Sequence, residues 1–564
     1  MAIDTKNQNI QDLILGDLDL FHIPIYQREY TWEATKHVQR LLDDIVEFGN
    51  EYQDNLRAEY YIGNIIIKKQ DQGFTPKRLI VDGQQRITTT ILMLCAIRDI
   101  YKDYPSHSEE QKFANSIQKS LYSNDDGVKL KINNMNNQQE LTLLLSGQNT
   151  SIKQTKYTEN YLHILNYLQQ KNEEELKQFV GLLHRIKVVL ILLDYEQDEN
   201  AVFESINSLG KPLTGGDLIK NYLFTFKYDC DINCENELIN LYTDQFENLF
   251  KEPKEIEAFF RIYIAIKTRW LYKQEAKTIY YQFKKTIGNI DDVEQCHAIL
   301  NELCEFALIY QTLKIKGHKQ IDSNHLGYLR SVFTEYAPLL IQVLKAYSHI
   351  DNHQIIIDEE NKFNDFLKSI VAYQASRFIV GEKKSRIIRF IPMVFEQLKN
   401  GYSQHSNYAD KFLALVSSVD NKHRMPNIDQ TKVGALSTRL YGKIETKSLL
   451  ILLENIDKNE LLDYEKATLK KATIEHIMPQ KLSNEWNHIT QEQHSEYLHV
   501  LGNLTLTLDN TKLSNLGFDK KKKILLEKSK ITLNNDLQRY SEFNVDVINS
   551  RGLALIEKFT KEYL

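Results

Sequence analysis

Apolar positions fall in two rhythms along the chain. Over the first 225 or so positions, short apolar runs alternate with longer segments of helical spacing. YYIGNIIIKK (60–69), KRLIVDG (77–83) and RIKVVLILLDY (185–195) are rich in β-branched residues and leucine and predict strands. ITTTILMLCAIRDIY (87–101) predicts a helix, and the polar stretch from about 105 to 180 has helical spacing. From about 230 to 420 the rhythm is helical. Leu238, Ile239, Tyr242, Phe246, Leu249 and Phe250 recur at intervals of three and four, which places them on one helix face. NKHRMPNID (421–429) interrupts that pattern with proline and polar residues. Beyond it, VLGNLTLTL alternates like a strand, DNTKLSN is turn chemistry, and FDKKKKILLEKSK (518–530) predicts a basic helix. The expected fold class is α+β and multidomain, with boundaries at 1–228, 229–420 and 421–564 and a mainly helical middle. No heptads or internal repeats appear. No linker is rich in Gly, Ser or Pro, so the domains are expected to pack together.

Composition narrows the classes. At 564 residues the chain exceeds one core. An apolar fraction of 42% with 26% charged residues is that of a soluble globular protein. The net charge of −6 means that any DNA contact must come from local basic patches. No charged-then-apolar leader and no apolar run of membrane length occurs, so a cytoplasmic protein without a membrane span is expected. Cys95, Cys230, Cys234, Cys296 and Cys304 form no C-x-x-C pair and read as reduced thiols rather than disulfides or a zinc knuckle.

The C-terminal third carries the sharpest chemistry. TIEHIMPQ (473–480) sets Glu475 directly before His476, Asn503 follows 27 residues later, Asn510 after 7 more, and Asn515 close behind. Phosphodiester hydrolysis needs an activated water and charge neutralisation at phosphorus. A histidine, with an ordinary pKa of about 6.5, can take the proton. A carboxylate and an amide oxygen are hard donors suited to Mg²⁺ or Mn²⁺. His476 is thus the candidate general base, Glu475 and Asn510 the candidate metal ligands, with Asn515 an alternative to Asn510. Asn503 would fix either the loop or the imidazole. Adjacent side chains on a strand leave opposite faces, so Glu475 and His476 share a site only if the strand ends or bends there; Pro479 favours such a break. Lys520 to Lys523 are expected to contact phosphates, with a solvated helix face as the bland alternative.

A second constellation lies near the N-terminus. In LIVDGQQRITTT (79–90) a strand is expected to end at Val81, Gly83 to permit a tight turn, and Ile87 to Thr90 to open a helix. A helix start is an anion site. Arg86 adds a phosphate donor, Asp82 could hold Mg²⁺ or orient a water, and Gln84, Gln85 and Thr88 supply uncharged donors and acceptors. No Walker A loop occurs. In FHIPIYQREYTWE (21–33), Tyr26, Gln27 and Arg28 lead an aromatic alternation, continued by Tyr30 and Trp32. It reads either as a half-buried strand or as a platform for a base and phosphate. FESINSLGKPLTGGDLIKNYLF (203–224) offers Asn207 and Lys211; the bland reading is a helix capped near Thr214 or Asp217.

Taken together, P-x-Y-Q-R-x-Y-x-W, D-G-Q-Q-R-x-T-T, F-E-x-I-N-S-x-G-x-x-L-x-x-x-D-L-I-K-N and E-H-I-x-P-Q with L-G-N-L-T-L resemble the GmrSD-type modification-dependent (type IV) restriction endonucleases. The resemblance implies a ParB/sulfiredoxin-like N-terminal domain that binds and hydrolyses a nucleoside triphosphate (GTP, UTP, CTP or ATP) and a C-terminal HNH (ββα-metal) nuclease domain. The partners it implies are modified phage DNA and an NTP, and it allows a homo-oligomer. Two other classes remain at this point: a nucleotide-switched DNA-binding regulator with an inactive nuclease domain, and a self-directed nuclease toxin.

Overall fold

The computed structural model describes residues 4–16, 20–24, 27, 30–70, 77–123, 127–132, 135–148, 155–194, 214–224, 237–268, 276–383, 385–399, 405–418, 423–456, 472–508, 513–527 and 531–564. The architecture is α+β, and the chain forms two compact units. The first comprises Met1–Asn240 with Ala276–His297; the second comprises Leu241–Glu275 with Ala298–Leu564, so most of the helical middle shares a unit with the C-terminal segment. Among the described residues no helix is long and apolar enough to cross a membrane, and Cys95, Cys296 and Cys304 are free thiols.

The first unit is built on a mixed six-stranded sheet. Its strands are β1 (Asp4–Asn9), β2 (Leu20–His22), β3 (Tyr60–Gln70), β4 (Lys77–Asp82), β5 (Leu130–Lys131) and β6 (Ile186–Leu193), in the order β1-β6-β3-β4-β2-β5. β3 runs parallel to β6 and antiparallel to β4. The unbroken apolar run of β3 reflects burial on both faces: Ile65 and Ile67 join the main core with Ile80, Val188 and Leu190, whereas Ile66 packs on the other side with Val81, Ile191 and Leu193. Helix α1 (Gln84–Tyr101) is buried along almost its whole length against the main core.

The expected helix face at 238–250, which runs from the last residues of Met1–Asn240 into the segment that starts at Leu241, is present, but the helix does not stay regular. Residues 237–240 are α-helical, Leu241–Phe246 widen to a π-helix, and Glu247–Leu249 tighten to a 3-10 turn. Leu238, Tyr242 and Phe246 are nevertheless buried. The break at 421–429 ends where Asn427 caps helix α2 (Ile428–Ser437) through a reciprocal bond with Gln430. Two strands, β7 (Thr473–His476) and β8 (Leu504–Thr507), pair antiparallel with Glu475 opposite Thr505 and His476 opposite Leu504. Helix α3 (Phe518–Glu527) follows, and the ββα unit shares a core of Ile477, Met478, Trp486, Val500, Leu513, Phe518 and Leu525. Helix α4 (Val545–Tyr563) presses so closely on the turn before β8 that a Cβ on Gly502 would lie 1.9 Å from the Ile548 carbonyl oxygen. From α4, the buried Arg551 guanidinium donates to the carbonyls of Gly502 (2.9 Å) and Leu504 (2.8 Å), fixing where β8 begins.

Candidate functional site

The strand β7 carries Glu475 and His476 as consecutive regular residues, so their side chains part. The chain turns only after His476, and the expected break at Pro479 does not bring the two side chains together. Glu475 turns toward α3, where the Lys521 ammonium donates to its Oε1 at 2.6 Å and to the His476 carbonyl at 2.7 Å. Lys521 is fully buried and Glu475 nearly so. Burial raises the Glu475 carboxyl and lowers the Lys521 ammonium, and each partner's charge opposes the shift.

His476 faces the other way, into a cluster of rings. Its Nε2 lies 3.1 Å from His499 Nδ1, and its Nδ1 lies 3.3 Å from the Gln480 amide nitrogen. The Tyr441 ring meets the His476 imidazole edge-on at 4.2 Å and stacks on His499 at 5.3 Å with 7° between the planes. Burial, then the neighbouring His499, Lys521 and His494, push the His476 pKa down to about 3. Burial thus favours the neutral imidazole and makes it a weaker base than an ordinary histidine.

Asn503 is wholly buried. Its Oδ1 accepts from Met478 N at 2.7 Å, and its Nδ2 donates to the carbonyls of Met478 (3.1 Å) and Leu498 (2.8 Å). Of the two roles open to it, these contacts are those of a clamp on the loop after His476. Asn510 lies outside the described residues. Asn515 is exposed on the turn, and its backbone carbonyl accepts from Ser483 Oγ at 3.0 Å. Among the described residues no three His, Cys, Asp or Glu side chains converge to hold a metal ion. The Glu475 carboxylate is a hard oxygen donor that fits a divalent cation, with Lys521 as the competing charge.

The four lysines of α3 do not act alike. Lys521 is buried in the ion pair, Lys520 meets Glu485 Oε1 at 2.6 Å, and Lys522 donates to the Tyr540 carbonyl at 2.9 Å; Lys523 is exposed. The shared phosphate role considered for all four is therefore corrected: Lys521, without solvent access, cannot take it.

In the first unit the structure brings two of the N-terminal boxes together. Gly83 has φ of +92°, and helix α1 opens behind it at Gln84, three residues before the expected start. A Cβ on Gly83 would also lie 2.8 Å from Ile65 Cγ1. The strand before it runs one residue further than expected, to Asp82, which pairs with Ile66. Gln84, Gln85 and Arg86 thus form the first helical turn, whose amides are not used within the helix. Gln85 Oε1 accepts from the backbone amides of Thr31 (3.0 Å) and Trp32 (3.2 Å), and Gln27 Nε2 donates to the Val81 carbonyl. Tyr30 bonds Thr89 at 2.7 Å and is buried, so this tyrosine belongs to the core and not to a stacking platform. Arg86 Nη1 donates to the Asn64 carbonyl at 2.8 Å, beside the irregularity of β3 at Gly63. Thr88 is wholly buried, away from any ligand in solution. Tyr26, Arg28, Asn207 and Lys211 lie outside the described residues. Thr214 and Asp217 cap the helix Gly215–Leu223 reciprocally.

His499 and Tyr441 were not singled out in the sequence; Gln480 appeared only as the end of TIEHIMPQ, and Lys521 only as one of four basic residues. Compared with known families, residues 7–224 match the GmrSD restriction endonuclease N-terminal domain, and residues 426–558 match the C-terminal domain of the GmrSD restriction endonucleases. No curated protein matches the chain.

Proposed function

Because the chain belongs to the GmrSD restriction endonucleases, and is thus a DNA endonuclease of a restriction system, we propose that its cutting site is the ββα unit of HNH type, with His476 as general base. The observation that carries this reading is the imidazole at the end of β7, held in one orientation by His499 and Gln480. Water attacks phosphorus, its proton passes to the imidazole, and the bond to the leaving sugar oxygen breaks. Asn503 holds the loop that follows His476, so the imidazole does not drift from the strand end. A Mg²⁺ or Mn²⁺ ion would supply charge neutralisation at the phosphoryl oxygens, with Asn510 as the candidate ligand; Glu475, turned away from His476 and paired with Lys521, would join it only after leaving that pair and swinging to the His476 side.

The first unit takes the regulatory role in this reading. The start of α1, with Gly83 approaching β3 and Arg86 beside it, suits a triphosphate. Modified DNA and the NTP act by binding the cutting-competent arrangement more tightly than the resting one. The test is digestion of modified and unmodified phage DNA with Mg²⁺ and each NTP in turn. His476→Ala is expected to abolish cleavage and leave NTP turnover intact; undiminished cutting removes the assignment. Arg86→Ala is expected to depress NTP turnover; normal turnover makes the DGQQR turn structural.

A further inference from the structure

The His476 imidazole has both nitrogens engaged, and the identity of the partners sets its tautomer. The Gln480 amide nitrogen can only donate, so His476 Nδ1 accepts. Nε2 then carries the proton and donates to His499 Nδ1, 3.1 Å away, which leaves His499 with its own proton on Nε2. His499 is in turn fixed from two sides. Leu440 N donates to its carbonyl at 2.9 Å, and the Tyr441 ring lies parallel to its imidazole. The same Gln480 nitrogen reaches the Tyr441 hydroxyl at 3.4 Å, which closes the ring of contacts.

We propose that His499 is a positioning residue of the nuclease site: it holds His476 with the proton on Nε2, so that Nδ1 is the atom that takes the proton from the attacking water. The inference rests on His476 being the base. In the step, the water oxygen bonds phosphorus and its proton moves to Nδ1 as the Gln480 amide gives way. The bond from phosphorus to the sugar oxygen breaks, and that oxygen takes a proton from solvent. The Nε2–H bond to His499 persists and stabilises the imidazolium. Tyr441 acts one layer further out by stacking on the His499 ring, and Leu440 by holding the His499 backbone.

The experiment is steady-state DNA cleavage by the full chain with Mg²⁺, comparing His499→Leu with His499→Asn. The two side chains are matched in shape, and only Asn places an acceptor oxygen near the Nδ1 position. His499→Leu is expected to lower kcat about 10–100-fold, the usual loss for a partner that orients a reacting group, with KM for DNA unchanged, and His499→Asn to recover most of it. Equal kcat for wild type and Leu, or equal losses for Leu and Asn, would overturn the proposal, as would a loss confined to KM. If His499→Leu does not fold, His499→Ala with added imidazole carries the test, and rescue is expected. His476→Ala runs alongside: if it cuts like wild type, the nuclease reading itself fails, whatever the His499 variants do.

Discussion

Replacing Lys521 with methionine should cost about 3–5 kcal/mol of stability at pH 7, the range for breaking a buried pair by removing one member. The structure sets the size. The ammonium makes two short bonds, 2.6 Å to Glu475 Oε1 and 2.7 Å to the His476 carbonyl, from a residue without solvent access. Methionine keeps the length and apolar bulk of the stem, so packing is nearly conserved and the loss is electrostatic. The variant can relieve its orphaned carboxylate by protonation. Glu475 is already raised by burial, and without Lys521 it rises further. A carboxyl raised in the folded state stabilises that state in acid and loses the contribution as pH climbs through its folded value. The deficit should therefore shrink between pH 7 and 5, by up to about 2.7 kcal/mol at ~1.36 kcal/mol per unit. Glu475→Gln combined with Lys521→Met removes the charge as well and should recover most of the loss, short of about 1 kcal/mol for the bond to His476. A chain of this size does not unfold in two states, so the reporter must be local. Trp486 is buried in the ββα core with Nε1 donating to Leu516 O at 3.0 Å. Its fluorescence in urea, with Trp32 and Trp270 replaced by Phe, follows that core. A cost under about 1 kcal/mol for the single variant, or a double variant no better than the single, would refute a buried pair here.

Two further outcomes follow from the same geometry. His476 is held near a pKa of about 3 in the folded state against an ordinary 6.5. The unfolded chain therefore takes up the proton first, and stability that is complete above pH 6.5 is lost as pH falls toward 3. At pH 5 the loss is about 2 kcal/mol, and His476→Gln should flatten that slope in the Trp486-reported transition. Gln85→Leu strands the amides of Thr31 and Trp32, which both donate to its Oε1. A loss of about 2–3 kcal/mol is expected, with faster proteolysis near residues 30–33; unchanged protection there would show that the segment is held by other contacts.

The strands β3, β4 and β6 were legible because a sheet buried on both faces leaves unbroken apolar runs. Their order was not, because β1 and β6 pair across some 180 residues and nothing in either strand names its partner. The start of α1 was placed late for a definite reason: apolar periodicity begins at Ile87, while the first turn is made of Gln84, Gln85 and Arg86. The better signal was Gly83, whose positive φ ends the strand and opens the helix in one residue. The irregular helix at 241–249 was invisible for the opposite reason, since π and 3-10 turns bury the same residues that an α-helix would.

The site divides in the same way. Glu475, His476 and Asn503 stand out because their chemistry is concentrated in short polar–apolar motifs. His499 stands four residues before Asn503 in the same stretch, but its role depends on Tyr441, 58 positions earlier, and no local pattern relates them. Lys521 is different, because its position was readable. Four consecutive lysines suggest one solvated face, yet Phe518, Lys521 and Leu525 are spaced by three and four and share the buried side of α3. A lysine on an apolar arc must either lift its ammonium to solvent or meet an anion inside. Here α3 packs against the hairpin, and the anion is Glu475. The run is thus three surface charges and one internal counter-ion, and the internal one decides how Glu475 is used. Any cation that takes this carboxylate must first displace an ammonium already bonded to it.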